Sequence, residues 1–542
     1  MNLLKVTGTI GGLTLVSRFA GLARDMLMAT YVGAGMASDA FQIAWRLPNL
    51  FRALFAEGAF AAVFVPMFNR TISEGDAEEA DSGLAKAIDF AGQVLSALLP
   101  FLLLFTAIMI IFAGQIVWAM TGGFPDGGPE KFALATQYTM ITFPYLALIS
   151  VVSLLGGILN SLNRFWVNAA APILLNICMI IALLFFRGDS QAETARTQAI
   201  AVTVSGVLQL AWLWWSCRKA GVKIRLRLPR LTPKVKQMLW LIGPAAVGQG
   251  AIQFNLFIST ALAARYLQEG AISYLYYADR LNQLPLGLIG IGVGTAILPT
   301  LSRQIGSGNE EVAIHTQNRA MELALFLALP AAVALVISAF PIVRGVFEHG
   351  EFLAKDTRGT AAVLSAFSFG VPAYVLIKVL TPGFYARQDT KTPVRLAVAS
   401  MLVNLGLNLF FILYLEQGVV SIAISTAIAA WVNVLLVYAV LHKRGQFRFD
   451  ARFTGKAWRI LLAATAMGAA LWFMNPWFIP YVSGSLMQRV AVLGLLCGGG
   501  ALVYALATFL FRAYTPGELK ASFRRKPVAA APAETPSTPS ES

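Results

Sequence analysis

The chain has 542 residues, of which 57% are hydrophobic and only 13% are charged. Soluble globular domains are about 45–50% apolar and about 25% charged, so this composition excludes an ordinary soluble protein. The net charge of +15 is typical of basic loops on one side of a membrane protein and requires no nucleic-acid partner. We therefore predict an all-α polytopic membrane protein.

Apolar stretches of membrane-spanning length recur along the whole chain, separated by polar breaks. A helix needs about 20 mostly apolar residues to cross a bilayer, so these stretches predict fourteen transmembrane helices. In chain order the spans lie near 6–31, 38–68, 84–113, 132–159, 166–186, 197–216, 236–264, 271–301, 320–342, 359–384, 393–414, 418–441, 457–478 and 487–511.

The basic residues predict which side of the membrane each loop faces, because Lys and Arg accumulate on the cytoplasmic side. Segments rich in both are 218–236, 443–459 and 512–526, whereas 32–37 and 479–486 contain neither. Both termini are therefore predicted to be cytoplasmic. The loop 343–358 opposes this assignment with three basic residues, but it also carries three acidic ones.

An internal repeat divides the predicted spans into two sets of six. The segment Ala44-Trp45-Arg46-Leu47 matches Ala278-Asp279-Arg280-Leu281, and Phe143-Pro144-Tyr145 matches Val371-Pro372-Ala373-Tyr374. Two six-helix lobes around a central cavity, followed by two more helices, are the simplest interpretation. The predicted units are an N-lobe at 1–217 (helices 1–6), a basic cytoplasmic linker at 218–235, a C-lobe at 236–441 (helices 7–12), helices 13–14 at 442–512 and a disordered cytoplasmic tail at 513–542.

Ionisable side chains inside the spans are the candidate functional residues, since a charge in hydrocarbon costs at least about 2.5 kcal/mol. The substrate-binding candidates are Arg18, Arg24, Asp39, Arg52 and Arg280, and the other cavity-lining candidates are Ser17, Asp25, Arg46, Asn49, Glu57, Asp279 and Lys378. Guanidinium groups bind phosphate through two parallel hydrogen bonds, so the excess of arginine predicts an anionic, phosphorylated substrate.

Each candidate also has a structural alternative, either an internal ion pair or a side chain that reaches the membrane surface. The ion-pair alternative stays open for Arg46, Glu57 and Asp279. The four arginines among the substrate-binding candidates cannot all be neutralised if the carboxylates around them also serve structural pairs, and Lys378 adds to the positive excess, which favours a functional role. Arg24 and Arg280, one from each repeat, have no obvious dedicated acidic partner in the sequence. We expect them to close on a diphosphate from opposite sides.

Cysteine and histidine are too sparse for a metal or redox site. Cys178, Cys217 and Cys497 are far apart, and the three histidines are too scattered for a zinc motif. We expect no metal, no cofactor and no catalytic residue. A membrane enzyme acting on prenyl phosphates remains an alternative. It would need a carboxylate or histidine base near a phosphate, usually in a sizeable outer loop, and the short loops here offer only His349 as a candidate.

Several motifs together resemble one bacterial family. They are Ser17-Arg18-x-x-Gly21-x-x-Arg24-Asp25, Gly33-Ala34-Gly35-x-x-x-Asp39-Ala40-Phe41, Arg46-Leu47-Pro48-Asn49-Leu50-x-Arg52, Ala56-Glu57-Gly58-Ala59-Phe60, Tyr277-Ala278-Asp279-Arg280-Leu281 and Pro382-Gly383-Phe384-Tyr385-x-Arg387-Gln388-Asp389-Thr390-Lys391-Thr392-Pro393. Over about residues 1–512 the chain is similar to the lipid II flippase family MurJ, also called MviN, of the multidrug/oligosaccharidyl-lipid/polysaccharide exporter superfamily.

The resemblance implies a function. It implies a multi-pass, monomeric protein of the bacterial inner membrane that works by alternating access. The implied substrate is the undecaprenyl-pyrophosphate-linked peptidoglycan precursor, lipid II, which is moved from the inner to the outer leaflet among membrane lipids for cell-wall synthesis.

The resemblance also implies roles for particular residues. The headgroup is implied to bind Arg18, Arg24, Arg52 and Arg280, with Asp39 as their acidic companion. The lipid tail is implied to lie in a groove of spans thirteen and fourteen that includes Trp472, Phe473 and Trp477. Lys378 occupies a place near which some relatives hold a carboxylate for sodium, so the sequence leaves open whether the membrane potential or an ion gradient supplies the energy.

Two rivals remain within the superfamily. An exporter of another anionic lipid-linked oligosaccharide or small molecule would use the same basic cavity. A cation-exporting drug antiporter would need a cavity lined by net carboxylate, and the arginine excess argues against it.

Overall fold

The computed structural model describes residues 3–52, 60–78, 82–515 and 517–518, with only the backbone for 3–7, 10, 61, 243–252, 254, 288 and 290–296. Within these residues every regular element is helical. The α-helices are α1 Leu3–Val32, α2 Met36–Phe51, α3 Phe60–Glu78, α4 Gly83–Ile111, α5 Ala113–Thr121, α6 Gly128–Thr142, α7 Pro144–Ser161, α8 Phe165–Phe185, α9 Gln191–Lys219, α10 Pro233–Tyr266, α11 Ala271–Gly306, α12 Glu310–Ile337, α13 Ala339–Phe347, α14 Ala354–Ser368, α15 Val371–Leu380, α16 Pro382–Tyr385, α17 Lys391–Leu409, α18 Val420–Lys443, α19 Ala451–Phe478 and α20 Leu486–Leu510.

Ten helical segments among the described residues are long and apolar enough to cross a membrane. Large apolar side chains such as Phe185, Trp215 and Leu510 are exposed on the helix surfaces, as expected for contact with lipid. The all-helical membrane fold is therefore confirmed, while the count of fourteen spans stays a prediction.

Proline divides two of the predicted spans at equivalent places. The span predicted at 132–159 is broken between α6 and α7 at Pro144, and the span predicted at 359–384 is broken between α14 and α15 near Pro372. Proline has no N–H for the preceding turn, so a helix readily breaks there. The span predicted at 38–68 corresponds to parts of two helices, α2 and α3, and the residues between them lie outside the described ranges.

The same packing pattern occurs twice along the chain. In the first half (α1–α9), α1 packs on α8, α8 on α9 and α2 on α6; in the second half (α10–α18), α10 packs on α17, α17 on α18 and α11 on α14. The larger core of buried apolar side chains lies mainly in the first half but also includes Met238, Ala263 and Ile422 of the second, and a separate core lies mainly in the second half. A smaller cluster, with Ala29, Ala34, Tyr277 and Phe347 among its members, joins the two halves.

The helices have a basic end, where 218–236 and 443–459 lie, and an opposite end. At the basic end, Asp389 accepts bonds from the Thr392 backbone N–H (2.9 Å) and hydroxyl (2.6 Å) and pairs with Arg444 at 2.8 Å. The bonds from Thr392, together with Arg444, hold the pKa of the Asp389 carboxyl below its usual range. Gln388 beside it has φ 61°, matched by Asn163 with φ 62° in the first half, so the repeat extends to the loops.

The chain beyond α20 differs from the sequence prediction where it begins. A disordered tail was expected from residue 513, yet Ala513 and Tyr514 are buried. The Tyr514 ring lies 4.8 Å from the Phe326 ring, and Glu518 accepts a bond from Lys456 at 3.0 Å. Packing on α12 and α19 thus anchors this segment. The rest of the predicted tail, 519–542, lies outside the described residues.

Candidate functional site

A cluster of charges joins the two halves around Asp25 on α1. Arg24 contacts Asp25 Oδ1 through Nη2 at 2.7 Å and Nε at 3.0 Å, and Arg280 on α11 contacts Oδ2 through Nε at 2.5 Å. The Tyr276 hydroxyl donates to Oδ1 at 2.9 Å, and Arg24 Nη1 donates to Asn176 Oδ1 on α8 at 3.0 Å. One carboxylate therefore serves two guanidinium groups from opposite halves.

This arrangement corrects the sequence interpretation of the two arginines. They were expected to lack a dedicated acidic partner, but both share Asp25. The exposed side-chain fractions are 5% for Arg24, 2% for Asp25 and 33% for Arg280. Of the two arginines, Arg280 is therefore partly exposed and Arg24 is buried.

Arg18 and Lys378 form a second group of cations, from α1 and α15. Arg18 Nη1 donates to the Gln283 carbonyl at 3.2 Å, and its guanidinium occupies the space beside Gly287, where any Cβ would lie 1.9 Å from Nη1. Lys378 is exposed, lies within electrostatic range of Arg18 and forms no hydrogen bond or ion pair with any described residue. These two charges are not neutralised by a carboxylate in the described parts of the chain.

The remaining cavity candidates of α2 are held by polar neighbours. Arg46 donates to the Thr260 hydroxyl at 2.8 and 3.1 Å, which links α2 to α10. Arg52 donates to Asn49 Oδ1 at 2.8 and 2.9 Å, three residues away on the same helix. Glu57 lies outside the described residues.

Ser17 and Asp279 flank the two charge groups. The Ser17 carbonyl accepts a bond from Asn176 Nδ2 at 3.0 Å, so this polar contact of Ser17 is made by its backbone. Asp279 accepts a bond from Gln283 at 2.5 Å and lies within electrostatic range of Arg46 and Arg280. Both residues thus lie beside the arginines, as the sequence indicated.

Asp39 has surroundings that the sequence interpretation did not anticipate. It was expected to accompany the cavity arginines, but its side chain is fully buried and pairs with Lys131 of α6 at 3.0 Å. It also accepts bonds from the Gly270 N–H at 2.8 Å, the Ser273 N–H at 2.9 Å and the Ser273 hydroxyl at 2.6 Å. Asp39 therefore caps the first turn of α11, and the acidic companion of the arginines is Asp25.

Lys131 is the residue that sequence reasoning missed. It is 1% exposed and also contacts Asp126 at 2.7 Å. The predicted fourth span began at 132, one residue after it, so the search for charges inside spans passed it over. A boundary drawn one turn earlier would have identified it.

Further contacts close the end opposite the basic end. The Glu351 N–H donates to the Thr30 carbonyl at 2.9 Å, and the Tyr277 hydroxyl donates to the Gly33 carbonyl at 3.1 Å. Gly33 has φ 75°, and a Cβ there would lie 2.6 Å from the Glu351 carbonyl oxygen. Only glycine fits this backbone conformation and this close approach without strain. The halves thus meet tightly at this end.

The first turns of α1, at the basic end, have no such close neighbours among the described residues. A Cβ at Gly8, Gly11 or Gly12 would find no atom of the described residues within 4 Å. The described helices are therefore not tightly packed against these positions of α1.

An apolar groove of about 320 Å³ runs between α12, α19 and α20. Its walls include Met467 and Leu471 of α19 and Leu496, Gly500 and Tyr504 of α20. The expected groove residues Trp472, Phe473 and Trp477 are not in these walls; they are between 66% and 79% exposed. The apolar periodicity of α19 did not reveal which face packs against its neighbours. In the described residues, no group of three His, Cys, Asp or Glu could hold a metal ion.

Comparisons with known proteins show the family of this chain. The family model described as "Lipid II flippase MurJ" matches residues 28–492. The chain belongs to the MurJ family. A "Probable lipid II flippase MurJ" of Rhizobium tropici is 41% identical over 532 residues, covering 97% of each chain. Another from Rhizobium meliloti (strain 1021) is 40% identical over 513 residues, covering 94% of each.

Two solved structures share the fold of this chain. The chain is 26% identical to a structure described as "Lipid II flippase MurJ, inward closed conformation", with a TM-score of 0.74, covering 93% of this chain and 98% of that one. An inward-facing multidrug resistance MATE family transporter of the MOP superfamily has a TM-score of 0.65 at 16% identity, covering 80% and 97%. This second likeness concerns the fold alone.

Proposed function

We propose that this chain flips lipid II across the bacterial inner membrane by alternating access. The observation that carries the proposal is the cationic seam between the halves: Arg280 is only partly buried, Arg18 reaches across to α11, and Lys378 lies within electrostatic range of Arg18. The diphosphate of a prenyl-linked precursor supplies the matching negative charge, and guanidinium groups bind such oxygens strongly. Membership of the MurJ family supports lipid II over other anionic lipid-linked oligosaccharides.

Asp25 gives the cavity a means of responding to substrate. It holds Arg280 at 2.5 Å and Arg24 at 2.7 Å when no other anion is near. A diphosphate that approaches Arg18 and Lys378 competes with Asp25 for the accessible guanidinium of Arg280. When Arg280 transfers to the diphosphate, one contact between the halves is exchanged for a contact through the substrate.

The seam has one closed end and one open end, which supports an inward-facing resting state. Asp39 and its bonds to Gly270 and Ser273 close the end opposite the basic end. We place the basic end, with both termini, in the cytoplasm because Lys and Arg accumulate there. Substrate enters from the cytoplasmic leaflet, and opening the Asp39 contacts releases it on the other side.

The tail of the substrate stays in an apolar environment during this cycle. We propose that the groove between α12, α19 and α20 receives the prenyl chain, because its walls are apolar and it borders lipid. We propose that the protein acts as a monomer. Its functional units are the N-lobe at 1–217, the basic linker at 218–235, the C-lobe at 236–441 and helices 13–14 at 442–512. No covalent bond changes, so the protein acts as a transporter and not as an enzyme.

We propose that the membrane potential, or an ion gradient, drives the cycle without a bound cofactor. Moving one elementary charge through the membrane potential is worth about 2.3 kcal/mol per 100 mV. The net positive charge of Arg18 and Lys378 makes the empty cavity responsive to this field. A negative interior draws the empty cavity back toward the cytoplasm.

Proteoliposomes with labelled lipid II test the proposal. Wild-type protein is expected to move the label across the bilayer without forming a new product, and Arg280→Ala is expected to abolish the movement. Arg303→Ala, at an exposed position near the end of α11, is the matched control and should transport normally. Chemical conversion of lipid II, or equal transport of an undecaprenyl lipid without the diphosphate, would contradict the proposal.

Cysteine labelling tests the orientation. In a background without Cys178, Cys217 and Cys497, a cysteine at Ser483 should react with an impermeant reagent added outside cells. A cysteine at Gly221, in the basic linker, should react only after permeabilisation. The reverse pattern would show that the basic end faces outward.

A further inference from the structure

A second apolar pocket lies between the halves and is separate from the α12/α19/α20 groove; Phe51 of α2, next to Arg52, is one of its lining residues. It encloses about 480 Å³ and is lined by side chains that include Phe101 and Phe105 of α4, Leu146 of α7 and Met238 of α10. This volume is within the range of about 300–1,000 Å³ for small-molecule pockets. No helix lines both this pocket and the groove.

The pocket has the depth of one membrane leaflet. Its α4 wall runs from Val94 to Phe105, which is about 16 Å at 1.5 Å per residue. The hydrocarbon core of a bilayer is about 30 Å thick. Its α10 wall begins at Val235, at the basic end, so the pocket extends from that surface to about the middle of the membrane.

An irregular segment, the strap (residues 222–232), lies across α4 at the mouth of this pocket. The Arg227 N–H donates to the Ser96 hydroxyl at 2.9 Å, and Thr232 donates to Gln93 Oε1 at 2.9 Å. A Cβ at Gly92 would lie 2.8 Å from the Arg225 carbonyl oxygen, so glycine permits the strap to lie this close. Leu231 at the end of the strap is part of the pocket lining.

The strap alternates basic and apolar residues. Lys223, Arg225 and Arg227 alternate with Ile224, Leu226 and Leu228. Leu226 is 56% exposed and Leu228 is 80% exposed. Leucines exposed beside arginines are typical of segments that lie in the headgroup region of a membrane.

Most cations of the strap and the first turn of α10 have no acidic partner among the described residues. Arg227 pairs with Asp89 at 2.6 Å and Lys234 with Glu74 at 3.4 Å. The other basic side chains, which are exposed and without an ion pair to a described residue, are Lys223, Arg225, Arg230 and Lys236. They place unneutralised positive charge above the mouth of an apolar pocket.

We propose that this pocket binds an anionic phospholipid of the leaflet at the basic end. The phosphate contacts the unpaired cations of the strap, and one acyl chain enters between α4, α7 and α10. A zwitterionic lipid offers the same chain but no net charge, so the strap selects the anionic headgroup. Because Phe101 and Leu146 belong to the first half and Met238 to the second, the bound lipid contacts both halves.

Native mass spectrometry of the full-length protein tests this site without any transport assay. Phosphatidylglycerol and phosphatidylcholine with identical acyl chains are titrated separately. The wild type is expected to bind one phosphatidylglycerol at least ten times more tightly than phosphatidylcholine. The variant K223Q/R225Q/R230Q/K236Q should reduce this preference to about twofold or less.

A matched control separates the strap from general surface charge. R303Q/K391Q/R395Q/K443Q removes four exposed cations from the ends of α11, α17 and α18 at the basic end, and it should keep the wild-type preference. Met238→Trp and Ala97→Phe fill the pocket from opposite walls, and each folded variant should weaken phosphatidylglycerol binding at least fivefold. The two substitutions alter different helices, so if one variant misfolds, the other still tests the pocket.

Three results would overturn the proposal. The first is equal binding of the two lipids by the wild type, and the second is an equal loss of preference in the control variant. The third is displacement of phosphatidylglycerol by an equimolar amount of undecaprenyl phosphate, which would assign the pocket to a prenyl chain. None of them depends on whether the protein flips lipid II.

Discussion

The two groups of cavity cations differ in how their charge is balanced. Arg24 and Arg280 share the buried carboxylate of Asp25, whereas Arg18 and Lys378 meet no carboxylate in the described residues. A paired guanidinium stabilises the contact between the halves, and an unpaired one attracts an anion. Basic residues in one cavity can therefore have two different roles: some hold the halves together and others bind the substrate.

Removing the carboxylate that Arg24 and Arg280 share should have the largest effect on transport and on stability. Asp25→Asn leaves two guanidinium groups close together without a counter-charge, and breaking a buried pair in this way costs about 3–5 kcal/mol. We expect loss of lipid II transport together with a clear fall in the melting temperature in detergent. Glu311→Gln, which removes an exposed carboxylate at the basic end whose partner Arg448 is also exposed, is the control and should change neither. An unchanged melting temperature for Asp25→Asn would show that the cluster does not hold the halves together.

Arginine-to-alanine changes should separate the two groups directly. Arg18→Ala is expected to lower transport about 10-fold to 100-fold with an unchanged melting temperature, because one charge-assisted contact to substrate is worth about 1.5–3 kcal/mol. Arg24→Ala should lower both transport and melting temperature, because Asp25 and Asn176 lose a buried partner. Equal melting temperatures for the two variants would remove the distinction between paired and unpaired cations.

Lys378→Gln should have the smallest effect. The ammonium is exposed and its contribution is screened by water, so we expect a loss of about 1 kcal/mol, or about fivefold in transport. Lys378→Arg keeps the charge and should restore most of the activity. Lipid II titration by native mass spectrometry provides the measurement, and an unaltered affinity in the glutamine variant would place Lys378 outside the binding site.

Much of the fold could be predicted from the sequence because hydrophobicity and repetition are local signals. The apolar runs indicated the helices, and Pro144 and Pro372 marked equivalent positions of the repeat. The broken spans were harder to predict, since a proline inside an apolar run looks the same whether it bends a helix or ends it. For that reason α6 and α7, or α14 and α15, were each taken as one span.

The candidate site could be predicted in its residue types but not in its pairings. Asp25 and Arg280 are 255 positions apart, and no pattern in the sequence indicates that they meet. Asp39 carries the same charge as Asp25, so only the positions of Lys131 and the first turn of α11 show that it has another task. The orientation of Trp472 was also hidden, because a lipid-facing side and a helix-facing side are both apolar inside a membrane.

The cap that Asp39 places on α11 bears on how the protein can cycle repeatedly. Three of its bonds, to the Gly270 N–H, the Ser273 N–H and the Ser273 hydroxyl, join the halves. Water can replace each of them when the halves part, so each contributes a net of only about 0.5–1.5 kcal/mol. An interface of interlocking apolar side chains would have no such substitute on exposure to water. Reversibility is thus a property of the bonding chemistry at this end, which permits opening at an energy that one substrate molecule can supply.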